Sequence, residues 1–117
     1  MQAFNALLSK IKQEQFSPFY LLSGTESYYI DAITDALVDQ LVTEQSRDFD
    51  FTVFYGKDAD WADVVNACKR YPVFAEKQVV IIKEAQHMNS LEKLVSYIEN
   101  PLSSTILVVA HKDKNVD

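Results

Sequence analysis

The sequence predicts an α/β fold of three layers, in which a parallel sheet is flanked by helices on both sides. The apolar runs at residues 79–82 and 106–110 are rich in β-branched side chains and lack a two-residue alternation. Such runs are typical of strands that are covered on both faces. Helical patterns separate four predicted strands, near residues 19–23, 51–55, 78–83 and 105–110, and this alternation favours parallel pairing.

The composition indicates one ordinary globular domain. The chain has 117 residues, of which 48% are hydrophobic and 24% are charged. A formal net charge of -6 argues against a surface that neutralises many phosphates. The single cysteine, Cys68, excludes an internal disulfide, so we expect a reducing compartment. Because there is no 18-residue apolar span and no signal-peptide core, we expect a cytoplasmic protein that does not enter a membrane.

The first half of the chain predicts a helix, a strand, a tight turn and a longer helix. Apolar residues recur at helical spacing in both helices, so each should dock one face on the sheet. Gly24 provides the turn, and Thr25 or Ser27 is available to cap the second helix. We expect the two helices at residues 3–14 and from Ser27 to about Glu44, with apolar stripes formed by Phe4, Leu7, Leu8 and Ile11 and by Ile30, Ile33, Leu37 and Leu41.

The second half repeats the alternation of strand and helix. A polar link at residues 46–50 leads into the second strand, and Pro72 ends the helix that follows it. Ser90 is predicted to cap a last helix, which Pro101 ends. Because no element follows the last strand, we expect the native protein to continue beyond Asp117. The inward residues predicted for these helices are Trp61, Val64, Val65 and Cys68, and Leu91, Leu94, Val95 and Ile98.

The turn after the first strand lies where a nucleotide hydrolase has its phosphate-binding loop. Such a loop needs several glycines, whose backbone N–H groups surround the phosphates, followed by lysine and Ser or Thr. After Gly24 this chain has Thr25 and Glu26, with no second glycine and no lysine. Glu26 would repel a phosphate. We interpret Gly24 as a turn residue in a degenerate phosphate loop.

Lys83 and Glu84 end the third strand at the carboxyl edge of the sheet, where open α/β folds bind ligands. A nucleotide hydrolase has an aspartate for Mg²⁺ in this place. Lys83 cannot bind Mg²⁺, which takes oxygen ligands. Glu84 could act as a base, but without a bound metal ion beside it. The alternative is a charged pair that only solvates the end of the strand. Both interpretations predict no cofactor and no hydrolysis of ATP.

Other residues that often carry chemistry are better explained structurally. His87 and His111 have no metal-ligating partner at helical spacing, which favours surface histidines. Cys68 lies on the apolar face of a predicted helix, which favours a buried thiol over a nucleophile. We find no pattern of a catalytic triad or of paired carboxylates, and so no catalytic residue is predicted.

Three large apolar residues stand at the helix break before the third strand. Tyr71, Val73 and Phe74 surround Pro72, and charged residues lie on both sides of the group. Pro72 removes them from the periodic register of the helix before and the strand after. An apolar wedge on a proline-stiffened turn suits a partner's pocket. The alternative is that the three side chains pack under the loop of their own domain, and the sequence pattern leaves both interpretations open.

Four blocks in this order resemble the amino-terminal domain of the bacterial DNA polymerase III delta-subunit family. The likeness extends from Phe19 to Ala110, which is nearly the whole chain. The blocks are FYLLSGTE at 19–26, FYGKDADW at 54–61, YPVFAEKQVVIIKEA at 71–85 and YIENPLSSTILV at 97–108.

The resemblance implies an AAA+ fold with degenerate nucleotide motifs, in which residues 1–117 form the clamp-binding domain and the lid and collar domains are absent. It implies a clamp loader subunit that binds the sliding clamp, the beta subunit, and opens its ring during DNA replication. The implied clamp-binding residues are Val73 and Phe74, with Tyr71 and Pro72 beside them. The implied partners also include the motor (gamma/tau) and delta-prime subunits, with DNA reached only through the complex.

The chain departs from the typical clamp-binding peptide, which has Gln followed by Leu-Phe. Lys69 and Val73 occupy the corresponding places here. The chain also lacks the Ser-Arg-Cys motif and the zinc module of the motor and delta-prime subunits, so delta is the better fit. Two rival functions follow from the residues alone, a P-loop-type ATPase with unrecognised motifs and a generic α/β interaction module. The ATPase would itself be an enzyme, whereas a delta subunit would only be part of a polymerase holoenzyme.

Overall fold

Four parallel strands form a single sheet in the computed structural model, which describes residues 2–112 and their side chains from Phe4 onward. The strand order is β1-β4-β3-β2, so β3 and β4 are the inner strands. Phe19 pairs with Leu107, Val80 with Leu107 and Val53 with Ile81, all in parallel register. The strands are β1 (Phe19–Gly24), β2 (Phe51–Tyr55), β3 (Gln78–Lys83) and β4 (Thr105–Lys112).

Helices cover both faces of this sheet, as the sequence predicts. Helices α1 (Gln2–Lys12) and α2 (Ser27–Leu41) pack on one face. Helix α3 (Trp61–Lys69), a 3₁₀ helix (Leu91–Leu94) and the short helix α4 (Val95–Ile98) pack on the other. A second 3₁₀ helix (Ala85–His87) follows β3 at the carboxyl edge.

The two faces of β3 belong to two separate apolar cores. Val79 and Ile81 pack with the α1 and α2 layer, whereas Val80 and Ile82 pack with α3 and α4. Successive side chains of a strand point to opposite faces, so a strand that is covered on both faces must be apolar at every position. This is the physical reason why the continuous run in the sequence predicts an inner strand correctly.

Helix α2 ends at Leu41, three residues before the predicted end at Glu44. The residue that caps its start is Glu26, rather than Thr25 or Ser27, and no side chain accepts a capping hydrogen bond there. Thr43 and Ser46 explain the early end, because each hydroxyl accepts the backbone N–H of the other residue, at 3.1 and 2.9 Å. Such side-chain bonds give the backbone an alternative to the helix.

The prediction for the segment after Ser90 is wrong in part. A 3₁₀ turn precedes α4. Leu94 is buried as predicted, and Leu91 and Ile98 pack partly buried against the same core, but Val95 is exposed and Tyr97 is buried in its place. The 3₁₀ geometry has three residues per turn, which rotates the inward face away from the predicted 3.6-residue stripe. Ser90 makes no side-chain capping bond.

Two further differences concern the ends of predicted segments. The predicted polar link at 46–50 is ordered, and its Ser46 and Asp50 are buried. Strand β4 continues through His111 to Lys112, the first residue of the predicted Lys-Asp-Lys-Asn loop, and the other three residues of that loop lie outside the described ones. None of the helices within residues 2–112 combines the length and the apolar character needed to span a bilayer.

Candidate protein-interaction site

The apolar residues before β3 form a protruding loop at the amino edge of the sheet. We call residues 71–74 the tip; they lie between the end of α3 at Lys69 and the start of β3 at Gln78. Tyr71 is 74% exposed, Val73 63% and Phe74 51%, while Pro72 is partly buried. The alternative that these side chains pack into their own domain is therefore wrong.

A single buried carboxylate holds the backbone of the tip. Asp50, which precedes β2 and is only 2% exposed, accepts hydrogen bonds from three consecutive N–H groups. Val73 donates to Oδ1 at 2.5 Å, and Phe74 and Ala75 both donate to Oδ2 at 2.7 Å. Charge-assisted bonds of this kind are shorter and stronger than neutral ones. The side chains of the tip point into solvent while its backbone is fixed from beneath.

The three N–H groups control the ionisation of Asp50. Burial of the carboxylate alone would raise its pKa, but the hydrogen bonds from Val73, Ala75 and Phe74 favour the charged form. The net effect is a pKa below the ordinary value of 3.8. Asp50 is therefore ionised throughout the physiological pH range.

Asp50 is itself held by the core of the domain. Its backbone N–H donates to the Ser46 carbonyl at 2.7 Å, and its carbonyl accepts the N–H of Val79 at 2.9 Å. The second of these bonds ties Asp50 directly to β3, the strand that the tip precedes. The backbone that carries the carboxylate is thus hydrogen-bonded on both sides, to Ser46 and to the sheet.

A buried glutamine fixes the start of the same loop. The Gln78 side-chain nitrogen lies 2.8 Å from the Ala67 carbonyl oxygen and 2.6 Å from that of Arg70. The Ala67 carbonyl also accepts the backbone N–H of Arg70, at 3.3 Å. Carbonyls at the carboxyl end of a helix lack the usual intrahelical partner, and the two amide hydrogens of Gln78 can bond to both of these. Gln78 and Asp50 together define the path of the chain through the tip.

Phe49 extends the exposed apolar surface beyond the tip. Its ring is 59% exposed and meets the Phe74 ring edge-on, with centroids 5.1 Å apart and an interplanar angle of 67°. We call Phe49, Tyr71, Val73 and Phe74 the apolar patch. Sequence reasoning missed Phe49 because it lies in the segment that was interpreted as a polar link.

Acid should weaken the fold through Asp50. The unfolded chain binds a proton more readily than the folded one, because the folded pKa is lowered, so this contribution to stability is present above the unfolded pKa and is lost as the pH falls. We expect the difference in unfolding free energy between the wild type and Asp50→Asn to shrink below about pH 4. Urea unfolding from pH 7 to pH 2.5 measures it. Asp48→Asn, at an exposed acid nearby, should show no such trend, and a pH-independent difference for Asp50→Asn would contradict the expectation.

The residues predicted for a degenerate phosphate loop lie at the opposite, carboxyl edge. Only Thr25 and Glu26 separate Gly24, at the end of β1, from the first residue of α2. Gly24 has φ = 147°, which glycine adopts readily, and Glu26 is exposed. Two residues cannot form a loop that wraps around a phosphate group.

Lys112 contacts both groups of residues predicted at this edge, the turn at Gly24 and the charged pair that ends β3. Its backbone pairs with Gly24, and its ammonium lies 3.7 Å from Glu84 Oε1 and 3.5 Å from Asp31 Oδ1. The Gln86 side chain also donates to Glu84 Oε2, at 2.5 Å. Lys83 is exposed and pairs with Tyr55 through the backbone. Partial exposure makes these ion pairs weak, but they occupy both acids.

The remaining candidates show no arrangement for chemistry. Cys68 is fully buried, and burial raises the pKa of its thiol to about 12, so the thiolate is not populated at neutral pH. His87 is exposed at the end of a 3₁₀ helix, and His111 lies in β4. Over residues 2–112 no three His, Cys, Asp or Glu side chains come together as a metal site would require.

Sequence comparison places these features in a known context. The family model described as DNA polymerase III, delta subunit, matches residues 20–117. The DNA polymerase III subunit delta of Bacillus subtilis is 22% identical in an alignment that covers 92% of this chain and 34% of that protein. The chain thus spans about a third of the length of this relative.

Two solved structures share the fold. The Bacillus subtilis DNA clamp loader delta protein superposes with a TM-score of 0.85 at 20% identity, over 97% of this chain and 37% of the other. A DNA polymerase III gamma subunit-related protein from Thermotoga maritima gives a TM-score of 0.65 at 14% identity, over 93% and 39% of the respective chains.

Proposed function

Because the chain belongs to the DNA polymerase III delta-subunit family, we propose that it binds the sliding clamp through the tip and helps to open the ring during replication. The observation that carries this proposal is the exposure of Tyr71, Val73 and Phe74 on a backbone that Asp50 holds in place. Large exposed apolar groups on a rigid support are typical of binding surfaces.

The patch provides apolar surface that a partner can bury. Full burial of a Val or Phe side chain contributes roughly 1.5–3 kcal/mol. Val73 and Phe74, which are already partly covered, can therefore supply at most about 3–6 of the roughly 8 kcal/mol that a micromolar affinity requires, and the rest would come from the surrounding contacts. The cost of ordering the loop is small, because its backbone is already bonded before the partner arrives. Val73 and Phe74 would enter an apolar pocket of the clamp, with Tyr71 and Pro72 at its rim.

Ring opening follows from a difference in affinity between two states of the clamp. A ligand shifts an equilibrium only by as much as it prefers one of the states. The tip would anchor the chain, and the domain surface around it would fit the clamp interface better in its open form. This step assigns no bond-making or bond-breaking chemistry to the chain, which would act as a non-catalytic subunit of a polymerase holoenzyme.

The carboxyl edge supports an AAA+ fold whose nucleotide motifs are degenerate. The two-residue connection after Gly24, the acid at Glu26 and the ion pairs of Lys112 all disfavour a bound triphosphate. In such a fold Lys83 would stand at the position of the magnesium-binding acid, and it offers no oxygen ligand. ATP would then be hydrolysed by other subunits of the loader.

The partners that fit this role are the clamp, the motor (gamma/tau) subunits and the delta-prime subunit. Contact with DNA would occur only through the complex, in keeping with the net charge of -6. Residues 1–117 would form the clamp-binding domain of a longer subunit with lid and collar domains. A cytoplasmic location, away from membranes, remains a prediction from the sequence.

Calorimetric titration of the chain with the clamp from the same organism tests the proposal directly. We expect saturable binding with one chain per clamp site, and binding should be lost in competition with a synthetic peptide that carries a clamp-binding motif. Absence of heat and of co-elution at micromolar concentration would reject clamp binding and favour a generic interaction module.

Mg-ATP should leave the melting temperature unchanged. A nucleotide present at about 100 times its Kd would stabilise the chain by about 2.7 kcal/mol, which is several degrees for a domain of this size. Differential scanning fluorimetry with and without millimolar Mg-ATP measures this. A clear rise in melting temperature would favour the nucleotide-binding rival over the proposed role.

A further inference from the structure

The tip combines exposed apolar side chains with backbone N–H groups that are hydrogen-bonded, although it lies outside helix and strand. Residues 71–77 form neither helix nor strand, yet the three N–H groups from Val73 to Ala75 are all bonded. Exposed apolar side chains on an irregular loop would normally collapse onto the nearest apolar surface. Here the acceptor comes from a residue 23 to 25 positions earlier in the chain, at the start of another strand.

We propose that Phe49 extends the docking surface through direct contact with the partner, and that Asp50 is a positioning residue beneath that surface. The inference rests on the proposed function, since the partner is the clamp that the tip would bind. Asp50 would not touch the clamp; it would act through the tip by holding Val73 and Phe74 outward before binding.

The geometry around Asp50 supports a positioning role. Both carboxylate oxygens are used, and Asp50 is also bonded through its own backbone to Ser46 and Val79. Fixing three successive amides selects one backbone path and so reduces the number of conformations that the free tip can adopt. A loop that is ordered in advance loses less conformational entropy when it binds.

The geometry around Phe49 supports a direct contact. The ring is more than half exposed, although it already packs edge-on against Phe74. An aromatic side chain that served only to support Phe74 would gain by turning its free face into the domain. The exposed faces of Phe49 and Phe74 instead form one surface, to which an apolar pocket with room for two rings is complementary.

Clamp affinity and amide exchange in matched variants of the chain test the role of Asp50. In Asp50→Asn an NH2 group replaces one carboxylate oxygen. This group is itself a donor, so it cannot accept the hydrogen bonds that the backbone N–H groups of the tip donate to Asp50. We expect about tenfold weaker binding to the clamp, and faster hydrogen exchange at Val73, Phe74 and Ala75 in the free chain. Asp48→Asn makes the same change of charge at a neighbouring exposed acid and should leave both readouts unchanged.

A double-mutant cycle separates positioning from general stability. If Asp50 acts through the tip, Asp50→Asn should cost no more than about twofold in affinity once Phe74 is already alanine. If Asp50→Asn fails to fold, by circular dichroism, Asp50→Glu replaces it, because it keeps the charge but displaces the carboxylate by one methylene group. A folded Asp50 variant that binds as tightly as Asp48→Asn would overturn the positioning role and leave the proposed function standing.

Phe49→Ala tests the direct contact. We expect about fivefold weaker binding, with a loss that persists in the Phe74→Ala background, because part of the Phe49 ring would meet the clamp independently. Tyr55→Ala is the control, since Tyr55 is an exposed aromatic residue at the other end of β2. An effect of Phe49→Ala no larger than that of Tyr55→Ala would overturn this half of the inference. If the wild-type chain does not bind the clamp at all, the inference and the proposed function both fail.

Discussion

Replacement of Phe74 by alanine is expected to weaken binding to the clamp by about 2–4 kcal/mol, the loss typical of a central interface residue. Phe74 is the tip residue that stands both on the backbone held by Asp50 and against the ring of Phe49. Its removal takes away the aromatic group in the middle of the apolar patch. Isothermal titration calorimetry of the variant against the clamp gives the change in free energy directly.

The fold of the Phe74→Ala variant should be unaffected. The side chain is half exposed and belongs to neither apolar core, so the midpoint of urea unfolding should stay close to that of the wild type. Val95→Ala provides a matched control, because Val95 is an equally exposed apolar residue on α4, far along the chain from the tip. Unchanged affinity of Phe74→Ala, or an equal loss in Val95→Ala, would remove the assignment of the tip.

Replacement of Gly56 by alanine is expected to cost about 3 kcal/mol of unfolding free energy, which is at the upper end for forced overpacking. Gly56 closes β2, and its N–H donates to the Lys83 carbonyl at 2.8 Å. A Cβ at this position would collide with the carbonyl oxygen of Glu84 and lie 2.9 Å from the carbonyl carbon. Because these are backbone atoms of a residue in the left-handed conformation, they cannot move aside as a side chain would.

Chemical denaturation of Gly56→Ala measures this cost, and Tyr55→Ala at the preceding, exposed position should stay within about 0.5 kcal/mol of the wild type. The tip lies at the other edge of the sheet, so clamp affinity of the folded Gly56→Ala fraction should be retained. A stability loss smaller than that of Tyr55→Ala would mean that the close approach of Gly56 to Glu84 is relieved at little cost.

Part of the candidate site could be predicted from local sequence. Pro72 interrupts the periodicity on both sides, and this identified Tyr71, Val73 and Phe74 as candidates. The sequence left open whether they are exposed or packed under their own loop, and only the structure shows that they are exposed. Asp50, Phe49 and Gln78 were not found, because their contacts join residues that are distant along the chain. The only local signal for Asp50 is that an acidic residue stands directly before β2, the strand that pairs with β3. This signal is weak.

The errors in the helices have the same origin. The sequence pattern predicted that α2 continues past Leu41 to about Glu44, but the reciprocal bonds of Thr43 and Ser46 stabilise a different backbone path. Likewise, the 3.6-residue periodicity predicted that Val95 points inward. In the structure a 3₁₀ turn precedes α4, and Tyr97 is buried in its place. Both outcomes depend on hydrogen bonds and on packing that periodicity does not describe.

The sequence by itself determined the four parallel strands, the layers of helices on both faces and the lack of a glycine-rich phosphate loop, because hydrophobic period and residue chemistry act locally. The tertiary structure decided the order of the strands, and with it that the starts of β2 and β3 lie side by side. That neighbourhood brings the carboxylate of Asp50 beneath the tip. The exposure of the tip side chains therefore depends on a long-range bond between a buried charge and three backbone amides, which no local pattern encodes.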